Sequence, residues 1–305
     1  MTSSTHKNPN HQAAKAEAML MLVVLIWGSN YPMTKFGVSG LNQLVFNSIR
    51  YIVATIVLLG LFAIRNNRLK IDRADWGKML WMGFVGSVVY QLLFVYAISR
   101  TSAGNVAVLV STFPLWTVFL SARIHHEKIP PMLWLGLFVS FAGVLMIVAG
   151  SGKKLSLGSD ELFGDAASLV GAAVWGYSMI LQQPLIARYG AHQVTFGTVA
   201  TGMAGLTLAA VPPAFTLHWT EVGWIYIIIA IISGVLSVAV ANILWSYGIR
   251  HIGAGKTANF NNLVPVVALL VAFFALHENL YAIELVGAAV TILGVWIARR
   301  AGARL

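Results

Sequence analysis

The chain has 305 residues, 58% of them hydrophobic and 10% charged, with a mean hydropathy of +0.78; that composition excludes a water-soluble globular domain and asks for lipid as solvent. The formal charge of +10 comes from 20 Lys and Arg scattered between apolar stretches, which argues against nucleic acid as a partner. There is no cysteine, hence no disulfide framework and no thiolate metal site.

A helix crossing the hydrocarbon core needs about 20 mostly apolar residues. Ten windows of that length pass, near residues 17–36, 44–64, 77–98, 103–122, 132–150, 163–186, 193–212, 223–246, 256–276 and 281–298. Residues 1–16 form a polar tail, and the span after it lacks a small-residue cleavage site, so it is expected to be retained. Pro130-Pro131, Pro212-Pro213 and the segment Ser151 to Asp160 mark expected breaks. With the N-terminus inside, fifteen of the Lys and Arg fall on that side, four (Lys35, Arg100, Lys153, Lys154) on the other, and Arg50 within the second span. Positively charged loops stay in the cytoplasm, so both the 1–16 and 299–305 tails are expected there, in a bacterial inner membrane.

The chain aligns with itself at a spacing of 151 residues: Gly83 with Gly234, Tyr96 with Tyr247, Ala103-Gly104 with Ala254-Gly255, Pro114 with Pro265, Glu127 with Glu278, Gly136 with Gly287 and Gly143 with Gly294. Trp27-Gly28 pairs with Trp175-Gly176 at 148. The expected units are a first five-helix repeat over 17–150, a periplasmic linker over 151–162 and a second repeat over 163–298. Five spans per repeat is an odd number, so the second copy enters the membrane from the opposite side. Inverted repeats are a recurring plan of secondary transporters, whose halves rock around one central site.

The stretch from Phe94 to Val148 and its partner from Leu244 to Ile297 share Tyr-Ala/Gly, then Ser/Gly-Ala-Gly, Pro, a loop Glu and Gly-x6-Gly. With Trp27-Gly28-Ser29-Asn30 and Arg50-Tyr51, this pattern resembles the EamA-type repeat of the drug/metabolite transporter superfamily, and among its members the YddG-type amino-acid exporters. The resemblance covers nearly the whole chain. It implies an all-α integral membrane protein of ten transmembrane helices, with spans 1, 3, 4, 6, 8 and 9 around a central cavity and spans 5 and 10 bracing it.

Residues three and four apart share a helix face, so polar and aromatic residues at that spacing are candidates for the cavity wall. The first span offers Trp27, Asn30 and Tyr31; the third Ser87, Tyr90, Gln91 and Phe94; the eighth Asn242, Trp245 and Ser246. Ser111 of the fourth span and Asn259 and Asn262 of the ninth complete the amide and hydroxyl set, with Trp175 of the sixth as the mate of Trp27. The substrate-binding set expected is Trp27, Asn30, Tyr90, Gln91, Ser111, Trp175, Asn242, Asn259 and Asn262. Interhelical hydrogen bonding is the competing role for each amide. Pro114 and Pro265 should kink the fourth and ninth spans at symmetric places, and Gly136, Gly143, Gly287 and Gly294 should let the fifth and tenth pack closely.

The functional expectation is an alternating-access carrier, working as a monomer, that exports amino acids or similar small metabolites. Drugs, purines or sugar derivatives are the alternative cargo, and a channel the more remote reading. Gly255-Lys256-Thr257 lacks the earlier glycine of a phosphate-binding loop, Arg250 standing there. No span carries a nucleophile with a base, so no enzymatic activity, cofactor or metal is expected. No Asp or Glu sits mid-span to carry a proton, so movement down a gradient without obligatory proton coupling is expected.

Overall fold

A computed structural model describes residues 9–64, 70–100, 106, 109–126, 128–150, 159–276 and 281–301. Ala103, Gly104, Glu127, Glu278 and residues 151–158 of the linker lie outside the described residues, as does the side chain of Tyr31.

Among the described residues the helical segments group into ten elements besides a 3-10 turn at Arg73–Asp75, and no strand occurs. They are α1 (Pro9–Gly40), α2 (Gln43–Ile64), α3 (Trp76–Gly83, a π segment Phe84–Val89, then Tyr90–Arg100), α4 (Phe113–His125) and α5 (Pro131–Gly150). The second set is α6 (Ser159–Tyr189), α7 (Ala191–Thr216), α8 (Trp224–Ser233, a π segment Gly234–Val240, then Ala241–Ile252), α9 (Ala254–Phe260, a 3-10 turn Asn261–Leu263, then Val264–Leu276) and α10 (Ala282–Ala301). Among the described residues, eight helical runs are long and apolar enough to cross a membrane. α4 and α9 are the interrupted ones: a turn at residues 111–112 precedes Phe113-Pro114, and the 3-10 turn precedes Val264-Pro265. Each proline thus stands just inside a new helical segment, where its missing N–H and fixed φ do least harm.

Several helices outrun the apolar windows. α1 runs from Pro9, so residues 9–16 of the polar tail are helical, and Glu17 just after them pairs with Arg299 of α10 at 2.5 Å. α7 continues through Pro212 and Pro213 to Thr216, past the break that this pair signals in the sequence. The two prolines fall in its closing turns, where the helix loses only their own two donors before it ends. Hydropathy marks the part of a helix that lies in hydrocarbon, not where backbone pairing stops.

The repeat is visible in the backbone. In α3 the N–H of Tyr90 bonds Val85 O, and in α8 the N–H of Ala241 bonds Leu236 O, both five residues back. Tyr90 and Ala241, and Val85 and Leu236, are mates at 151. Each π segment inserts one residue into the turn and so rotates the second half of its helix relative to the first.

α5 and α10 pack antiparallel through small residues. A Cβ on Gly136 would run into Ala298, on Gly143 into Thr291, on Gly150 into Glu284, and on Gly294 into Ser140. Each partner moves back seven positions as the glycine moves forward seven, so the backbones stay in contact along two full helices. Small residues are what permits such an approach in a membrane, where lipid supplies no hydrophobic drive between helices.

Among the described residues, the start of α1 and the end of α10 meet through Glu17 and Arg299 at one end of the bundle, here the basic face. Arg188, at the end of α6, reaches Asp72 and Asp75 ahead of α3, each at 2.5 Å, and Tyr189 Oη donates to Asp75 Oδ2 at 2.6 Å. This joins the second repeat to the first. The mates of Arg188 and Asp75 are Gly40 and Tyr226, and at the far face the Tyr226 ring lies directly on Gly40 and 5.3 Å from Phe36. One joint is ionic and the other aromatic.

Candidate functional site

The same close crossing is built twice. A Cβ on Gly28 of α1 would lie 3.3 Å from Ala268 N of α9, and one on Gly176 of α6 would lie 3.0 Å from Thr117 N of α4. Thr117 and Ala268 are mates, as are the two glycines. Each crossing sets the preceding tryptophan at mid-bundle, and the ring centroids of Trp27 and Trp175 lie 5.8 Å apart.

Three further rings complete the cluster. Trp175 stacks on Phe113 of α4 at 4.2 Å and on Tyr90 of α3 at 5.0 Å, and faces Trp245 of α8 at 6.2 Å. Trp27 lies 4.9 Å from Trp245. Five helices, α1, α3, α4, α6 and α8, therefore converge on one aromatic group at the repeat interface. Trp27, Tyr90 and Trp175 remain half-buried, while Phe113 and Trp245 are buried.

Sequence reasoning places Trp245 among the cavity candidates but not in the binding set, and it passes over Phe113. The signal for Phe113 is its place before Pro114. A ring there is held at the start of a new helical segment, on the turn that breaks α4.

Two of the polar candidates serve the π segment of α8. Trp27 Nε1 donates to Ser237 O at 3.1 Å, and Asn242 Nδ2 donates to Val238 O at 2.8 Å. A π turn leaves carbonyls out of the regular ladder, and these donors satisfy them. Asn30, one turn beyond Trp27, accepts from Ser233 Oγ of α8 at 2.5 Å and donates to Thr34 Oγ1 at 3.1 Å. Gln91 is half-buried next to Tyr90, and Ser111 is buried two residues before Phe113.

Asn259 and Asn262 are not brought to the rings. Asn262 Nδ2 donates to Ser140 Oγ of α5 at 2.8 Å, and Asn259 Nδ2 donates to Val295 O of α10 at 3.4 Å. They tie α9 to the bracing pair. A buried amide has to be paired, but which neighbour supplies the partner depends on the rotation of the helix, which the sequence does not display. Arg50 of α2 is 7% exposed and donates from Nη1 to Asn47 Oδ1 at 2.8 Å within its own helix. Among the described residues it forms no ion pair.

The arrangement is an aromatic box with neutral hydroxyl and amide groups on its borders. Such a box can cover apolar side chains and hold an ammonium over a ring face.

Comparison with known proteins is consistent along the whole chain. The EamA-like transporter family matches residues 14–149 and 162–300, the two repeats. The uncharacterized transporter YoaV of Bacillus subtilis is 25% identical, with 91% of this chain and 94% of that protein covered. A protein of Streptantibioticus cattleyicolor named "Probable terminal-alkyne amino-acid exporter" is 26% identical, with 94% of each covered. A solved crystal structure of another protein superposes with a TM-score of 0.79 at 15% identity, covering 95% of this chain and 98% of that one.

Proposed function

The chain belongs to the EamA-like transporter family, and from that premise we propose that it exports amino acids or similar small metabolites across the bacterial inner membrane by alternating access. The observation that carries this reading is the aromatic box at the interface of two inverted repeats, the place where a rocking carrier holds its substrate. Rings contributed by both repeats suit a cargo with an apolar side chain and an ammonium group. A phosphorylated cargo would call for several cations at the same depth, and the ring cluster holds none. The Streptantibioticus relative, named as an amino-acid exporter, supports the cargo class. Tyr90, Trp27 and Trp175, with Trp245 and Phe113, form the proposed binding group; Asn30, Gln91, Ser111 and Asn242 border it, and Asn259 and Asn262 act through the scaffold.

Cargo runs down its own gradient in this proposal, and the basic face is the cytoplasmic one. The test is counterflow in proteoliposomes with a panel of labelled amino acids. A carrier exchanges labelled for unlabelled substrate with no net gradient, so accumulation of label by exchange is expected. A channel equilibrates without exchange, and that outcome would overturn the reading. Flux is also expected to persist when the pH gradient is collapsed while substrate still runs downhill; its complete loss would show proton coupling.

A further inference from the structure

The two repeats are alike in sequence, but at several mated positions one residue is buried and the other half-buried. Trp245 of α8 is 2% exposed, whereas its mate Phe94 of α3 is half-buried. The same sense holds for Ser246 and its mate Val95, for Ala241 and Tyr90, for Phe260 and Leu109, and for Ser178 and Asn30, the last at the 148 spacing. In every pair the buried member lies toward the basic face and the half-buried one toward the far face.

Packing agrees with this. Below the rings, Leu20, Val23 and Val24 of α1 and Met79 and Met82 of α3 are fully buried in one cluster with Trp245, and these are large side chains where their equally buried mates toward the far face, Ser168, Gly171, Ala172, Ala230 and Ser233, are small. The Trp245 ring crosses between repeats, 4.9 Å from Trp27 and 6.4 Å from Phe113. Among the described residues Phe94 has one ring contact, with Tyr90 of its own helix at 6.1 Å. The bundle is thus sealed on the basic-face side of the box, and Trp245 is the ring that seals it.

Resting on the alternating-access reading, we propose that Trp245 and Phe94 are alternating seals of one pathway. Two inverted copies can exchange conformations, which gives the same packing with the sides reversed. In the exchanged state Phe94 takes the place Trp245 holds here, against Trp27 and Val264, the mates of Trp175 and Phe113. Trp245 is then released to the open side. One detail favours its release: its indole N–H, buried here, has no hydrogen-bond partner among the described residues, an unmet donor that water would satisfy.

The test uses the absence of cysteine, which lets a single introduced thiol report alone. Asn30→Cys and Ser178→Cys, mates on the two sides of the box, are labelled with a membrane-impermeant maleimide applied from either side of reconstituted vesicles, without substrate. Trp245→Ala should raise labelling of the Ser178→Cys thiol severalfold and lower that of the Asn30→Cys thiol. Phe94→Ala should do the reverse. If both substitutions move both thiols in the same direction, or neither moves either thiol, the paired-seal proposal is overturned. Loosened packing would expose both thiols together, so a purely structural role is told apart. Labelling needs no cargo, so opposite shifts in a protein that moves no amino acid would keep the seals and remove the cargo assignment.

Discussion

Trp27 and Trp175 are mates, yet their indole nitrogens are used differently. Trp27 Nε1 holds Ser237 O in the π segment of α8, while among the described residues Trp175 Nε1 makes no such bond. Trp175 instead contributes its face, stacked between Phe113 and Tyr90. Replacing either by Ala removes an apolar wall worth on the order of 1–3 kcal/mol if substrate packs there, so flux per incorporated protein should fall about tenfold or more. Phe tells the two apart. Trp175→Phe keeps an aromatic face and should retain most flux, whereas Trp27→Phe removes the shorter of the two donors to Ser237 O, leaving it the 3.4 Å bond from Asn242 Nδ2, and should lose flux or thermal stability as well. Trp134→Ala on α5, far from the box, is the control and should leave flux nearly unchanged. Normal flux in both Ala variants at normal incorporation would move the binding site away from these rings.

At the scale of elements, the α5–α10 contact is the part of the fold least tolerant of added volume. A side chain at Gly143 or Gly294 meets backbone of the facing helix, which cannot move aside as a flexible side-chain end could. Gly143→Leu and Gly294→Leu should each destabilise the purified protein by about 1–3 kcal/mol or more, seen as a lower melting temperature in detergent. Gly60→Leu is the matched control, because nothing lies within 4 Å of a Cβ there. Equal melting temperatures for all three would mean that α5 and α10 do not depend on this face. Gly136, Gly143, Gly287 and Gly294 of this contact are legible in the sequence because their spacing survives duplication and small residues have few other uses in a span. So are the mated tryptophans, whose rarity makes a repeated Trp-Gly informative. The π segments are not, since one extra residue per turn leaves no mark in an apolar run such as Phe84 to Val89. Nor are the partners of Asn259 and Asn262, because a one-residue rotation of α9 would turn the same amides toward the box.

Over the whole molecule, the inverted repeat predicts two equivalent joints, and chemistry distinguishes the faces on which they lie. Arg188 with Asp72 and Asp75 makes an ionic joint, and its mate, Tyr226 on Gly40, an aromatic one. Aromatic rings collect at both membrane–water interfaces, but Lys and Arg collect on the cytoplasmic side alone, so in the orientation proposed the ionic joint lies on that side. Glu17 of α1 and Arg299 of α10, paired at 2.5 Å, bring the start of α1 and the end of α10 together. A reporter fused after Leu305 should therefore be active only in the cytoplasm, and one inserted within residues 151–158 only outside. Moving the charge tests the cause and not just the outcome. Reversing the ionic joint alone, as Arg188→Glu, should weaken stability without inverting topology, because the remaining Lys and Arg of that face still hold it inside. A C-terminal reporter active only outside in the unmodified chain would overturn the orientation, and with it the assignment of the sealed side of the box to the cytoplasm.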